Sequence, residues 1–312
     1  MAETIVVALG GNAFMKKKSS NTLEEQWRNV DNAAQQIVAL YSKGYRVLVT
    51  HGNGPQVGMI LEWMEALKEK FTPLTMDIAT AMTQGWLGYM LMQAIGNRMV
   101  EAGYDRKVVA LVNQVIVDPS DPGFRMPTKP VGPYYSGEQA KKLEKEKGWV
   151  MRRDPRGGYR RVVPSPDPLM NVEADAIKSL LESNYIVIAS GGGGIPVFKK
   201  GESLQGVEAV VDKDLASEII ASTIGASMLV IATDVDAVYL GYGSEKAERL
   251  GVVRVDELKE LYRKGLFPPG SMGPKVLACI RFVERNKGKA VITSLETLEK
   301  AVEGSAGTLV IP

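Results

Sequence analysis

Ile5-Val6-Val7-Ala8-Leu9-Gly10-Gly11-Asn12 decides how the rest of the chain is read. Its apolar, β-branched run suits a strand buried on both faces of a parallel sheet. It stops at two glycines, which let the backbone turn tightly and bring N–H groups close to a ligand. An amphipathic helix is expected next, and N–H groups at a helix N-terminus suit an anion. Alone, a glycine pair after a strand is weak evidence and fits a plain tight turn better. The pattern returns, however. Arg46-Val47-Leu48-Val49-Thr50 runs into His51-Gly52-Asn53-Gly54-Pro55, and Ile186-Val187-Ile188-Ala189-Ser190 runs into Gly191-Gly192-Gly193-Gly194. Three buried strands ending in glycine on one side of one sheet would surround a single crevice. Ligands of open α/β sheets bind outside the carboxyl ends of the strands, so the repetition points to a phosphate or carboxylate site.

Outward from these turns, strand and helix patterns alternate along the chain. Thr22-Leu23-Glu24-Glu25 has the form of a capping box. Trp27, Val30, Ala34, Ile37, Val38 and Tyr41 follow at helical spacing, and Gly44 stops the run. Further helices are expected over 57–68, 77–101, 172–183, 214–224, 256–264 and 275–286. Strands are expected over 108–117, 207–211, 228–232, 290–293 and 308–311. This alternation implies a mostly parallel sheet with helices on both faces. Residues 118–167 break the rhythm with prolines at 119, 122, 127, 130, 133, 155, 164 and 166. A short helix (137–147) and a hairpin (150–153 with 159–163, around Gly157-Gly158) make this segment a small protruding insertion.

The bulk properties exclude several classes. A chain of 312 residues holds one large or two modest domains. With 38 basic and 36 acidic residues the net charge is +2, which gives no electrostatic reason to expect nucleic acid or a membrane surface. No apolar run is long enough to span a bilayer. The single cysteine, Cys279, excludes an intrachain disulfide and fits a reducing cytosol, so a cytoplasmic location is expected. Its neighbours Leu277, Ala278 and Ile280 suit a buried structural thiol.

Three lysines stand out. Lys129 lies between Pro127 and Pro130 in the insertion. Lys213 lies between Asp212 and Asp214, directly after the strand expected at 207–211. Lys275 opens a helix after Gly270-Ser271-Met272-Gly273-Pro274, where a cation opposes the helix dipole unless an anion sits beside it. Each alone fits a solvated surface charge; beside three glycine turns they suggest an anion site. Asp214 fits a helix N-cap and equally a carboxylate that positions lysine ammonium groups. Asp234 fits an Asx turn or a contact to ribose or metal. His51, the only histidine, fits a ring held by backbone hydrogen bonds at a strand end better than a general base. There is no G-x-x-x-x-G-K-[ST], no G-x-G-x-x-G after the first strand, and no metal-ligand cluster of His and Cys.

The segments Ala8-Leu9-Gly10-Gly11-Asn12, Thr50-His51-Gly52-Asn53-Gly54-Pro55-Gln56, Gln84-Gly85-Trp86, Pro127-Thr128-Lys129-Pro130-Val131-Gly132-Pro133, Ser190-Gly191-Gly192-Gly193-Gly194, Asp212-Lys213-Asp214 and Gly270-Ser271-Met272-Gly273-Pro274-Lys275 together resemble the carbamate kinases of the amino-acid kinase superfamily. The resemblance is spread over nearly the whole chain, insertion included. It implies an αβα three-layer sandwich with a mostly parallel open sheet. It implies the reaction ATP + carbamate ⇌ ADP + carbamoyl phosphate, with Mg2+ held mainly by the nucleotide phosphates, and a homodimer. It implies a carbamate- and phosphate-binding lobe over 1–211, with the insertion 118–167 as a flap, and a nucleotide-binding lobe over 212–312. Lys129, Lys213, Asp214 and Lys275 take catalytic roles. Gly10, Gly11, Asn12, Asp212, Lys213, Thr233, Asp234, Tyr239, Met272 and Lys275 contact the nucleotide. Gly11, Asn12, Gly52, Asn53, Gly191 and Gly192 contact carbamate. Many superfamily members carry a lysine two residues before the first glycine pair. Ala8 holds that place here, and the resemblance gives the missing charge to Lys129. Two other readings remain: an acetylglutamate-type kinase, whose larger substrate needs a clamp for a second carboxylate, and a non-catalytic nucleotide-binding regulator on the same fold.

Overall fold

The computed structural model describes residues 2–11, 14–15, 22–154, 157–244 and 246–312. Eight strands form the central sheet, in the order Val252–Arg254, Thr308–Ile311, Lys289–Ser294, Met228–Thr233, Thr4–Leu9, Arg46–His51, Ile186–Ile188, Val108–Ala110. Neighbours are parallel except Lys289–Ser294 beside Thr308–Ile311. The strands that end in the three glycine turns are adjacent, so the turns share one edge, as the sequence predicts.

Side-chain alternation builds the layers. Ile5, Val7 and Leu9 face one way, into a core with residues of the helices Leu23–Ser42, Met76–Glu101 and Leu298–Val302. Val6 and Ala8 face the other, into a core with Ala174–Glu182, Lys213–Ile224, Val255–Arg263 and Met272–Asn286. The result is an αβα sandwich. Ile5, Val6, Val7 and Leu9 are fully buried, and burying side chains of this size contributes about 1.5–3 kcal/mol each. The first strand is therefore anchored from both faces. The Thr22 hydroxyl caps its helix by accepting the Glu25 N–H, 3.3 Å.

Three expectations need correction. The apolar run 108–117 is not one strand. Val108–Ala110 ends the main sheet, while Gln114–Val117 belongs to a second sheet of four strands with Pro168–Asn171, Ile195–Lys200 and Ser203–Gly206. The break falls at Asn113, which is fully buried: its N–H donates to Gln84 Oε1 and its Oδ1 accepts from the Ser190 N–H, while its carbonyl already accepts from Ile195 of the second sheet. The run 207–211 is not a strand: it bends at Glu208, where the Ala209 N–H donates back to Val207 O, 2.9 Å. On either side of that bend the Val207 N–H goes to Pro196 O and the Val210 N–H to Pro164 O. The helix carrying Lys275 begins at Met272, so Lys275 lies within its first turn and does not open it.

The insertion holds the expected helix Gly137–Lys147 and the paired strands Val150–Arg153 and Tyr159–Val163. A further strand, Lys129–Tyr135, pairs with Tyr159–Val163 at the sheet edge. Pro130 and Pro133 hide it from a sequence reading, since proline is tolerated on edge strands only.

Candidate active site

Asp214 is the centre of the site. It is 3% exposed and holds two cations. Lys213 Nζ lies 2.5 Å from its Oδ1, and Lys275 Nζ lies 2.8 Å from its Oδ2. Asp214 and Lys213 come from the first turn of one helix and Lys275 from the first turn of another. The anion that Lys275 needs at a helix N-terminus is thus a protein carboxylate. The N-cap of Lys213–Ile224 is Asp212, not Asp214. Asp212 Oδ1 accepts from the N–H groups of Asp214 and Leu215, at 2.9 and 3.4 Å, and Asp212 Oδ2 pairs with Lys129. The three lysines Lys129, Lys213 and Lys275 are therefore gathered on two neighbouring aspartates, Asp212 and Asp214.

Burial alone would push the Asp214 carboxyl up, but Lys213 and Lys275 together hold it well below the usual carboxylate range. Burial pushes the Lys213 ammonium below its ordinary value, opposed by Asp214 and reinforced by the like charge of Lys275. Burial also works against Lys275, yet Asp214, with Asp212 and Asp234, leaves it above its ordinary value. One carboxylate thus serves two ammonium groups, and its attraction opposes the burial of both.

The glycine turns close around these lysines. The Gly10 N–H donates to Ala232 O, 2.9 Å, and the Gly52 N–H to Leu9 O, 3.0 Å. Lys213 Nζ also donates to the Ala8 carbonyl, 3.5 Å, and a Cβ added at Gly52 would stand 3.5 Å from Lys213 Cδ. Gly11 O accepts from the N–H groups of Phe14 and Met15; Asn12 lies outside the described residues. Gly192 has φ 66°, and a Cβ there would meet Asn53 Nδ2 at 2.2 Å, so that turn admits glycine alone.

A buried polar network fixes the third turn. The Ser190 N–H donates to Asn113 Oδ1, 2.6 Å, and the Asn171 amide donates to Ser190 Oγ, 2.9 Å. Gln84 Nε2 donates to Gly191 O, 3.0 Å, while its Oε1 accepts from the Asn113 N–H. Asn53 donates to Thr83 Oγ1, 2.8 Å. Asn113, Asn171 and Thr83 escape sequence reasoning as site supports. The available signal was one amide interrupting the apolar run Val108-Val109-Ala110-Leu111-Val112-Asn113.

The expected nucleotide residues Thr233, Tyr239 and Met272 lie on separate elements, and Asp234 directly follows Thr233. Thr233 ends a central strand, with its hydroxyl 3.2 Å from Asp234 Oδ1. Met272 packs at the edge of a core beside the Lys275 turn. Tyr239 stands in a separate small hairpin, its hydroxyl donating to Asp236, 3.0 Å, so the structure does not bring it onto the lysine cluster. Cys279 is buried, and burial pushes its thiol up, as expected of a structural residue.

His51 is buried, and its Nδ1 lies 3.2 Å from Gly52 O. A carbonyl only accepts, so Nδ1 carries the proton. Burial pulls the ring down to about 4, with Lys213 adding to the effect against the Gly52 hydrogen bond. An unfolded histidine titrates near 6.5. The folded value is depressed, so this contribution to stability is present above about pH 6.5 and is lost as pH falls toward 4. The loss is about 3 kcal/mol at most. We expect urea titrations at about pH 7.5 and about pH 5 to show a smaller acid loss for His51→Asn than for the wild type. Equal losses would refute the buried neutral ring.

The chain belongs to the amino acid kinase family, whose model matches residues 3–294. Its relatives include the carbamate kinases of Pyrococcus horikoshii, 50% identical, and Pyrococcus furiosus, 49% identical, each aligned over 100% of both chains. Among solved structures, carbamate kinase from Giardia lamblia bound to AMP-PNP superposes with a TM-score of 0.92 at 39% identity, covering 99% of this chain and 98% of that one.

Proposed function

We propose that this chain is an ATP:carbamate phosphotransferase, interconverting ATP plus carbamate with ADP plus carbamoyl phosphate. The observation that carries the reading is the Lys213–Asp214–Lys275 cluster set among the three glycine turns, with a histidine that is neutral and buried. Phosphoryl transfer needs positioning and charge stabilisation more than covalent chemistry. Carbamate is already an anion, so its attacking oxygen has no proton to give up, and the site needs no base. Lys213 and Lys275 neutralise charge on the transferring group, Asp214 orients both, and Lys129 closes the cluster from the flap. The Gly10 and Gly52 N–H groups are taken by Ala232 O and Leu9 O, so it is the N–H groups of Gly11, Asn53, Gly191 and Gly192 that these turns offer to phosphate and carbamate oxygens. The nucleotide half is placed in 212–312, with Thr233, Asp234, Tyr239 and Met272 around the base and ribose, and the carbamate half in 1–211.

The donor set suits magnesium in one way. Among the described residues no group of three or more His, Cys, Asp or Glu side chains could hold a metal, and Asp212 and Asp214 are engaged by lysines. A magnesium ion therefore fits as one carried on phosphate oxygens and water, where it supplies charge neutralisation.

The test is ATP formation from ADP and carbamoyl phosphate by purified protein, with carbamate, acetylglutamate and aspartate compared as acceptors in the reverse direction. Carbamate alone should turn over. Comparable rates with a bulky amino acid would favour the acetylglutamate-type alternative, and nucleotide binding without transfer would favour a regulator.

A homodimer is the assembly that fits the surface. Trp63, Leu67, Ile78, Met82 and Tyr89 are large apolar side chains 43–54% exposed on two successive helices, and Trp63 stacks on Trp86 across them at 6.3 Å. A continuous exposed apolar face of this kind marks an interaction site, and a two-fold pairing would bury it against itself. We expect light scattering to give twice the chain mass for the wild type and a shift toward one chain mass for Met82→Glu. A monomeric wild type would refute the pairing.

A further inference from the structure

A second cavity, of about 250 Å3, lies outside the catalytic crevice, between the flap and the helix Gly54–Leu67. Leu61, Val131, Pro133 and Leu143 give it apolar walls, and Trp149 and Arg161 line it as well. The two elements meet tightly beside it: a Cβ added to Gly58 would stand 2.9 Å from Gly132 Cα. The Arg161 guanidinium stacks on the Trp149 ring, 4.4 Å from its centroid. Among the described residues it has no carboxylate within ion-pair distance. Burial works against its charge, and Glu208, Tyr135 and Glu65 offset this only in part. Glu65, on the same rim, is already matched by Lys147 at 2.7 Å and Lys68 at 3.1 Å. Glu62 lines the cavity too, but it is not among the groups that act on the Arg161 charge, so the Arg161 guanidinium faces the apolar volume without an ion-pair partner of its own.

We propose that this cavity is a binding site for a small organic carboxylate with an apolar body, the carboxylate on Arg161 and the body against Leu61, Val131, Pro133 and Leu143. A partly desolvated guanidinium held flat by an aromatic ring presents its N–H fork to a carboxylate. The apolar walls exclude an inorganic anion as the best occupant, because they would lose water without gaining contact. Val131 pairs with Arg161 across the flap sheet and lies two residues along the strand from Lys129, so an occupant would touch the strand that carries Lys129.

The test is calorimetric titration of the full chain with isocaproate, phenylacetate and the neutral isocaproamide. Saturating ADP and inorganic phosphate keep the catalytic crevice filled. We expect saturable binding of at least one acid at one site per chain, with isocaproamide about tenfold weaker or worse. Arg161→Gln, which removes the charge, and Leu61→Trp, which fills the volume, should each abolish it. Absence of saturable binding by both acids, equal binding of acid and amide, or retention in either variant would overturn the site. Heat of binding is read without turnover, so the result stands apart from the carbamate reading.

Discussion

Lys213→Ala and Lys275→Ala should each lower turnover by roughly 10²–10³, or about 2.7–4 kcal/mol in the barrier, the usual cost of removing one donor aimed at developing transition-state charge. The geometry also predicts how the losses combine. Both ammonium groups share Asp214, which is almost fully buried. Removing one lysine leaves Asp214 paired to the other, so each single variant should fold. Removing both strands a buried carboxylate, which destabilises strongly. The double variant should therefore lose stability well beyond the sum of the single changes. Initial rates and urea unfolding on the same four proteins check this. Near-normal turnover in either folded single variant would remove that lysine from the mechanism. Strict additivity in stability would mean that Asp214 is not the shared counter-ion.

Lys129→Ala should abolish transfer nearly as completely while leaving ADP affinity close to the wild type. Lys129 reaches the cluster only through Asp212, from the first position of a flap strand. A flap that brings a charge also closes over the substrates and excludes water. Removing the flap is a practicable experiment because Val117 and Pro168 are paired across an antiparallel ladder. A short turn can then join the chain on either side of residues 118–167. The deletion exposes Met76 and Val210, which pack on Val131 and Val163 of the flap, so some stability will be lost. ADP binding, measured by calorimetry, should survive, since Thr233, Asp234 and Met272 lie elsewhere. Full activity in Lys129→Ala, or loss of ADP binding by a folded deletion, would assign the insertion another role.

The central strands were legible because burial on both faces leaves an unbroken apolar run, and the turns because only glycine fits where backbone meets side chain, as at Gly192 against Asn53. The flap helix and hairpin were legible from local pattern, since their partners are near in sequence. What local pattern cannot carry is the destination of hydrogen bonds. The run 207–211 has strand composition, yet its N–H groups go to Pro196 and to Pro164. Asp214 has N-cap chemistry, but Asp212, two residues earlier, takes the cap and frees Asp214 for the lysines. The network through Gln84, Asn113, Asn171 and Ser190 joins four separate segments, and no single segment announces it.

The position of the first strand bears on how the molecule is made. Thr4–Leu9 is hydrogen-bonded on one side to Arg46–His51 and on the other to Met228–Thr233. During synthesis this strand meets Arg46–His51 soon after it is made, whereas its other edge stays open until Met228–Thr233 has emerged. That strand is apolar on both faces, and an unpaired apolar edge is the kind that pairs with foreign strands. Protection of that open edge by chaperones should thus bear on the yield of this protein, and a rearranged chain in which Met228–Thr233 is made shortly before Thr4–Leu9 would shorten the wait.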